Sequence, residues 1–190
     1  MKILLTCFEP FNKKSTNTTM QLIEKIYLDY IYKITLPVSY EMSVIELKKA
    51  YNIYKPDLII SLGEANRTKN VEIEKFAHNL MHASIPDNDG VIKLNEKINN
   101  NDLCLTPSYD VFKMVKKLEH DGYKVIMSQT AGSYICNLIM YIILEMKNNQ
   151  DLIDAAFIHI PHLEDNESED LEHYSKCIEQ FIIYMQELYK

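Results

Sequence analysis

The chain has 190 residues, 47% hydrophobic and 25% charged, with a net charge of −7. That balance excludes a disordered chain and predicts one domain over 1–190 with a sizeable core. The acidic surplus excludes nucleic acid as a main partner, no stretch approaches a membrane span, and the scattered Cys7, Cys104, Cys136 and Cys177 make no metal or redox motif.

Lys2 to Thr6 is a short apolar run that reads as a buried strand. It is too short for the apolar part of a signal segment, which predicts a cytoplasmic, reduced protein that suits a working thiol. The polar segment Asn12 to Thr18 predicts a loop, then a helix to about Tyr30 with Asn17 or Thr18 as cap. Tyr32 to Val38 reads as a strand and Glu41 to Tyr54 as an amphipathic helix ended by Pro56. Asp57 to Leu62 and Val71 to Asn79 read as further strands, and Asn95 to Asp102 as a mobile polar loop. Thr106-Pro107 opens a helix that runs to His120 and stops at Gly122. Val125 to Ser128 and Ala155 to Ile160 are strands around a helix that starts just before Cys136. The acidic run Glu164 to Asp170 reads as a solvated loop, with Asn166 and Glu169 opening a last helix to Tyr189. Such alternation predicts a three-layer α/β/α sandwich with a largely parallel, mixed central sheet.

Cys136 follows the polar, glycine-containing run Ser128 to Tyr134 and precedes the apolar stretch Leu138 to Leu144. A thiol in the first helical turn faces unpaired N–H groups and the positive end of the helix dipole, which lower its pKa from about 8.5. The same N–H groups can hold an oxyanion. His159 ends the apolar run Ala155 to Ile160, where open α/β sheets bind ligands, and an imidazole there can take and return the thiol proton. A carboxylate that orients the imidazole completes such a set. Glu72 and Glu74 face the same side of one strand, and the pattern alone does not choose between them. His78 and His82 are four apart, but they fall on or beside a strand without a third ligand, so no metal site is expected.

The chain resembles the pyroglutamyl-peptidase I family of cysteine exopeptidases, also called pyrrolidone carboxyl peptidases, almost end to end. Thr6-Cys7-Phe8-Glu9-Pro10-Phe11 is similar to the family's T-G-F-E-P-F, Asn17-Thr18-Thr19 to N-P-T, and Leu36-Pro37-Val38 to L-P-V. Lys55-Pro56-Asp57 and Gly63 match K-P-D and its following glycine, and Ile85-Pro86-Asp87-Asn88-Asp89-Gly90 matches I-P-D-N-x-G. The segments around Cys136 and His159 resemble S-x-x-A-G-x-Y-x-C-N and F-I-H-x-P. The resemblance implies hydrolysis of the amide after an N-terminal pyroglutamyl residue, through a thioacyl-enzyme on a Cys136–His159–Glu74 triad. Glu74 is chosen because it matches the glutamate of E-R-x-A-x-N. The resemblance also implies that Phe8, Phe11 and Asn17 hold the pyroglutamyl ring, that no cofactor is used, and that the protein is a homodimer or homotetramer. The stretch Asn95 to Asp102 falls in a region that covers the site in the family.

Ser84 stands where the family has an arginine near the reacting carbonyl, and Glu64 stands where it has glutamine or an apolar residue. Arg67, the only arginine, resembles the family's G-R with a shift of one residue and is expected to reach the site in place of the missing arginine. Cys7 replaces a glycine, and Asn12-Lys13 a glycine pair. These departures open an alternative: a weakened or inactive homologue that binds pyroglutamyl peptides or another small amide.

Overall fold

The computed structural model describes residues 1–11, 15–163 and 168–190. A six-stranded sheet forms the middle layer, built from β1 (Ile3–Phe8), β2 (Ile31–Leu36), β3 (Leu58–Ala65), β4 (Val71–Glu74), β7 (Val125–Ser128) and β8 (Asp154–Pro161). Its order is β2-β1-β3-β8-β4-β7. The helices are α1 (Thr18–Glu24), α2 (Met42–Tyr54), α3 (Val111–His120), α4 (Ile135–Asn148) and α5 (Ser168–Leu188). One apolar cluster joins one sheet face to residues of α1, α3 and α5, and a second joins the other face to α2 and α4. The fold is thus a three-layer α/β/α sandwich. Strands covered on both faces carry near-continuous apolar runs, as in β1, all of whose residues are buried.

Strands β2, β1, β3 and β8 are mutually parallel, whereas β4 runs antiparallel to β8 and parallel to β7. Only residues 66–70 join β3 to β4, too few for the crossover that a parallel return requires. That reversal sets Glu72 opposite His159 in register.

Several elements differ from the sequence expectation. The first helix ends at Glu24, not Tyr30, since Lys25 and Ile26 already close it with bonds to Leu22 O and Ile23 O. The expected strand Val71 to Asn79 is broken after Glu74. Its second part, β5 (Ala77–His78), leaves the main sheet to pair with β6 (Cys104–Leu105), a strand with no sequence signal. Asp110, not Thr106-Pro107, caps α3, accepting from Lys113 N at 3.1 Å. Ser108 and Tyr109 instead donate their N–H groups to the Asp154 carboxylate. β3 extends to Ala65 and so takes in Glu64. Lys55 ends α2 in the left-handed conformation at φ 47°, consistent with the exclusion of helical backbone before Pro56.

Residues 95–102 are pinned rather than loose. Asn79 Oδ1 accepts from Ile98 N and Asn99 N, while Asn99 and Asn101 both donate to Glu145 on α4. The expected cap Asn166, the turn at Asn12-Lys13 and residues 164–167 of the acidic run lie outside the described residues. Among the described residues, no helix is long and apolar enough to cross a membrane.

Candidate active site

Strand alternation builds the site. Phe8 on β1, Gly63 on β3, Phe157 and His159 on β8, and Glu72 and Glu74 on β4 belong to the face that looks toward α4. Cys136 is the second residue of α4. The N-cap Tyr134 makes no side-chain hydrogen bond to the helix, and the intrahelical bonds begin with Leu138 N to Tyr134 O. The first N–H groups, around Cys136, therefore have no intrahelical acceptor, and such groups can stabilise an oxyanion. Gly132, at φ +82°, gives the preceding loop the left-handed turn that feeds the chain into this helix.

His159 is 3% exposed and Glu74 fully buried. The imidazole Nδ1 lies 2.6 Å from Glu74 Oε1, which leaves Nε2 for the Cys136 sulfur, which sits with the ring over Gly63 and helps raise its pKa. Burial pulls the His159 pKa down, but the Cys136 sulfur and the Glu74 carboxylate outweigh it and raise the value from 6.5 to about 9. The imidazolium is therefore the favoured form between its two partners. Phe157 packs against the ring at 5.1 Å between centroids. A Cβ at Gly63 would sit 2.9 Å from Cys136 Sγ and 3.0 Å from both His159 Cδ2 and Phe157 Cε1. Glycine is thus what lets thiol and imidazole meet over this strand, a requirement that sequence reading tied only to a motif.

The other expected residues fall as follows. Phe8 is buried at 6.5 Å from the Phe157 ring, and Phe11 packs against the same cluster from a half-buried position. The Asn17 side chain is spent on structure: Oδ1 accepts from Thr19 N at 2.9 Å, and Nδ2 donates to Glu9 O at 3.3 Å. It thereby caps α1 and ties the segment leading to Phe11. Glu64 is turned to the opposite face, where its carboxylate accepts from Thr18 N at 2.7 Å and meets His162 Nδ1 at 3.1 Å. It serves the start of α1, on the side of the sheet away from the Cys136–His159–Glu74 cluster. Ser84 is exposed on the segment held to the α4 loop by Ser133 Oγ donating to His82 O at 2.6 Å.

Arg67 does not stand in for the missing arginine. One guanidinium nitrogen donates to Glu72 Oε2 at 2.6 Å and to Glu74 Oε1 at 3.0 Å, behind the imidazole, and reaches Thr130 O at 3.3 Å. Glu72, Glu74 and His159 bring ligand-type atoms within 4.8 Å of one another. A cation already lies on both carboxylates in the form of Arg67, so the cluster is filled by the protein itself. His78 sits in β5, and His82 Nδ1 accepts from Asn95 N.

Asn137 had no assigned part in the sequence reading. It is fully buried, accepts from His78 N and donates to His78 O and Leu80 O, all within 2.9 Å. Its amide pairs with β5 like a strand and fixes the α4 start against it. A cleft of about 570 Å³ between α2 and α4, lined by Tyr40, Val44, Met81, Asp87, Leu138 and Ile142 among others, contains none of the triad residues. The chemistry, not the cleft, locates the site.

Comparison with known proteins agrees over nearly the whole length. A family model described as pyroglutamyl peptidase matches residues 1–186. The pyrrolidone-carboxylate peptidase of Thermococcus litoralis is 35% identical over 173 residues, which cover 86% of this chain and 78% of the relative. That of Lactobacillus johnsonii is 31% identical over 169 residues, covering 86% and 79%. The solved pyrrolidone carboxyl peptidase of Fervidobacterium islandicum superimposes with a TM-score of 0.89 at 28% identity, over 98% of this chain and 99% of that one. The pyroglutamyl peptidase I of Bacillus amyloliquefaciens gives 0.85 at 25% identity, over 93% and 92%.

Proposed function

This chain belongs to the pyroglutamyl peptidase family of cysteine peptidases, and from that premise we propose that it removes N-terminal pyroglutamate from peptides, with Cys136 as nucleophile, His159 as general acid and base, and Glu74 as the orienting carboxylate. The observation that carries the assignment is the continuous chain of contacts from buried Glu74 through His159 to Cys136 at an uncapped helix start.

The Cys136 sulfur attacks the pyroglutamyl carbonyl, and the charge that moves onto oxygen is met by the free N–H groups of the first α4 turn. His159 gives its Nε2 proton to the leaving amine, and the C–N bond breaks to leave a thioester. A water molecule, deprotonated by the same nitrogen, attacks that thioester and releases pyroglutamate and the thiol. Glu74 keeps Nδ1 protonated throughout, so Nε2 is always the nitrogen that exchanges protons. The lactam is neutral and needs an apolar slot with few polar partners. Phe8 and Phe11 supply that slot, and Asn17 contributes by holding the segment that bears Phe11.

Ser84 favours a second reading, a catalytically weakened homologue that still binds such peptides. Hydrolysis of a pyroglutamyl fluorogenic amide, set beside the prolyl amide, separates the two. Release from the pyroglutamyl compound alone, abolished in Cys136→Ala, is the expected result. Binding without release would leave the weakened homologue standing. The family match over residues 1–186 supports one peptidase domain. The same premise supports a cytoplasmic homodimer or homotetramer, and the exposed Ile85, Val91, Ile92 and Leu94 supply apolar surface for association.

A further inference from the structure

Arg67 and Glu72 have no part in the steps above, yet they touch the triad. Among the described residues Glu74 Oε2 has no hydrogen-bond partner, and this buried carboxylate is held through Oε1, by His159 at 2.6 Å and Arg67 at 3.0 Å. Glu72 is 6% exposed, and its Oε2 lies 2.6 Å from the same guanidinium nitrogen. Two carboxylates this close and this buried would share one proton if no cation lay between them. A proton on Glu74 would remove the charge that orients and stabilises the imidazolium.

We propose that Arg67 is a positioning residue that keeps Glu72 and Glu74 ionised together and fixes Glu74 against His159, and that Glu72 is what makes this cation necessary. The proposal rests on the triad assigned above. The groups facing Glu74 are Arg67 from the β3–β4 connection, Glu72 on its own strand, and His159 on β8 with Cys136 of α4 behind it, while Tyr109, in the cluster across the sheet, feels the Glu74 charge at longer range. Of these, only Arg67 has a permanent positive charge. Its contact with Thr130 O also ties the carboxylate pair to the loop that leads into α4.

The test is a double-mutant cycle. Arg67→Ala should lower kcat by about 10- to 100-fold, part of the roughly 10²- to 10⁴-fold that general acid–base catalysis contributes, with KM nearly unchanged. The acid limb of its kcat/KM profile should move to higher pH, because the shared proton now titrates there. Glu72→Gln alone should stay close to wild type. The Arg67→Ala/Glu72→Gln pair should regain most of the lost kcat and return the acid limb, since a single carboxylate shares no proton. A double variant no better than Arg67→Ala would overturn the proposal, as would an unchanged Arg67→Ala. If Arg67→Ala fails to fold, the neutral Arg67→Gln with and without Glu72→Gln serves, with the same rescue expected. The pH dependence of Cys136 alkylation by iodoacetamide, read by peptide mass, gives an arm free of substrate. Its acid limb should shift in Arg67→Ala and return in the double variant. A wild-type protein inert toward the pyroglutamyl amide would sink the assigned activity, while the alkylation profiles would still decide the role of Arg67.

Discussion

The two faces of the central sheet are made from the same strands and differ in what their buried polar groups do: on one they tie down backbone, on the other they meet one another. Toward α1, α3 and α5 the strands show Leu5, Cys7, Ile60, Leu62, Ile73, Ile158 and Ile160, and the carboxylates on that side, Glu64 and Asp154, lie near the ends of β3 and β8 and bind backbone N–H groups leading into α1 and α3. Toward α4 the alternate positions carry Thr6, Ser61, Glu72, Glu74 and His159, all buried, among apolar neighbours. Thr6 and Ser61 satisfy each other at 2.8 Å, and the two glutamates and the histidine satisfy one another with Arg67. The cysteines divide in the same way. Burial pushes the Cys7 thiol up to about 11 and the Cys177 thiol up to about 12 on the apolar side, where each behaves as a small hydrophobe. Cys136 is partly exposed at a helix start beside an imidazole. Surroundings, not residue type, separate a structural thiol from a reacting one.

Gly63 and Leu62 are neighbours in sequence and face opposite sides, so they test the contrast most severely. Gly63→Ala should cost turnover by at least about 100-fold, because its methyl would displace Cys136 Sγ and His159 by several tenths of an ångström from a near-attack geometry. Leu62→Ala should destabilise the fold by about 2–5 kcal/mol and leave turnover per folded molecule unchanged. Steady-state kinetics with urea unfolding of both variants checks the pair. Equal losses of turnover would erase the distinction between the faces.

A smaller effect is expected at Ser84. Arg67 is committed to the two carboxylates, so an arginine at 84 would add a cation that the described loop does not supply. Ser84→Arg should raise kcat with little change in KM, by a factor below the roughly hundredfold that a full oxyanion donor supplies. Unchanged kcat would show that the α4 N–H groups suffice.

The smallest effect is in stability against pH. The native His159 pKa, about 9, lies above the unfolded value near 6.5, so the folded state holds this proton more tightly. Its stabilising contribution is complete below 6.5 and is lost as pH rises toward 9. Urea midpoints across that window should fall in the wild type and flatten in His159→Ala. A wild-type midpoint that rises through the window would contradict the imidazolium assignment.

Much of this was legible in the sequence because it is local or periodic. The apolar runs place the strands, and the polar-to-apolar switch at Tyr134 to Leu138 places Cys136 at a helix start. Period-two alternation puts Glu72 and Glu74 on one face and the motif points to Glu74; the register sets Glu72 opposite His159, and it is the side-chain contact at 2.6 Å that brings Glu74 to Nδ1. The hidden parts depend on contacts far apart in the chain. Glu64 is an odd lactam partner until β3 is seen to extend and turn it toward α1. Asn137 takes its purpose from β5, and β5 leaves the main sheet to pair with a two-residue strand too short to leave a sequence signal. Arg67 could be placed near the site by motif, but its loop position carries no hint that it faces the carboxylates rather than the carbonyl.

Acid quenching during turnover of a pyroglutamyl ester, followed by peptide mapping, tests the central claim most directly. The account predicts one pyroglutamyl group as a thioester on the peptide containing Cys136, with Cys7, Cys104 and Cys177 unmodified. Full turnover with no acyl group on Cys136, or with the group on another residue, would contradict it.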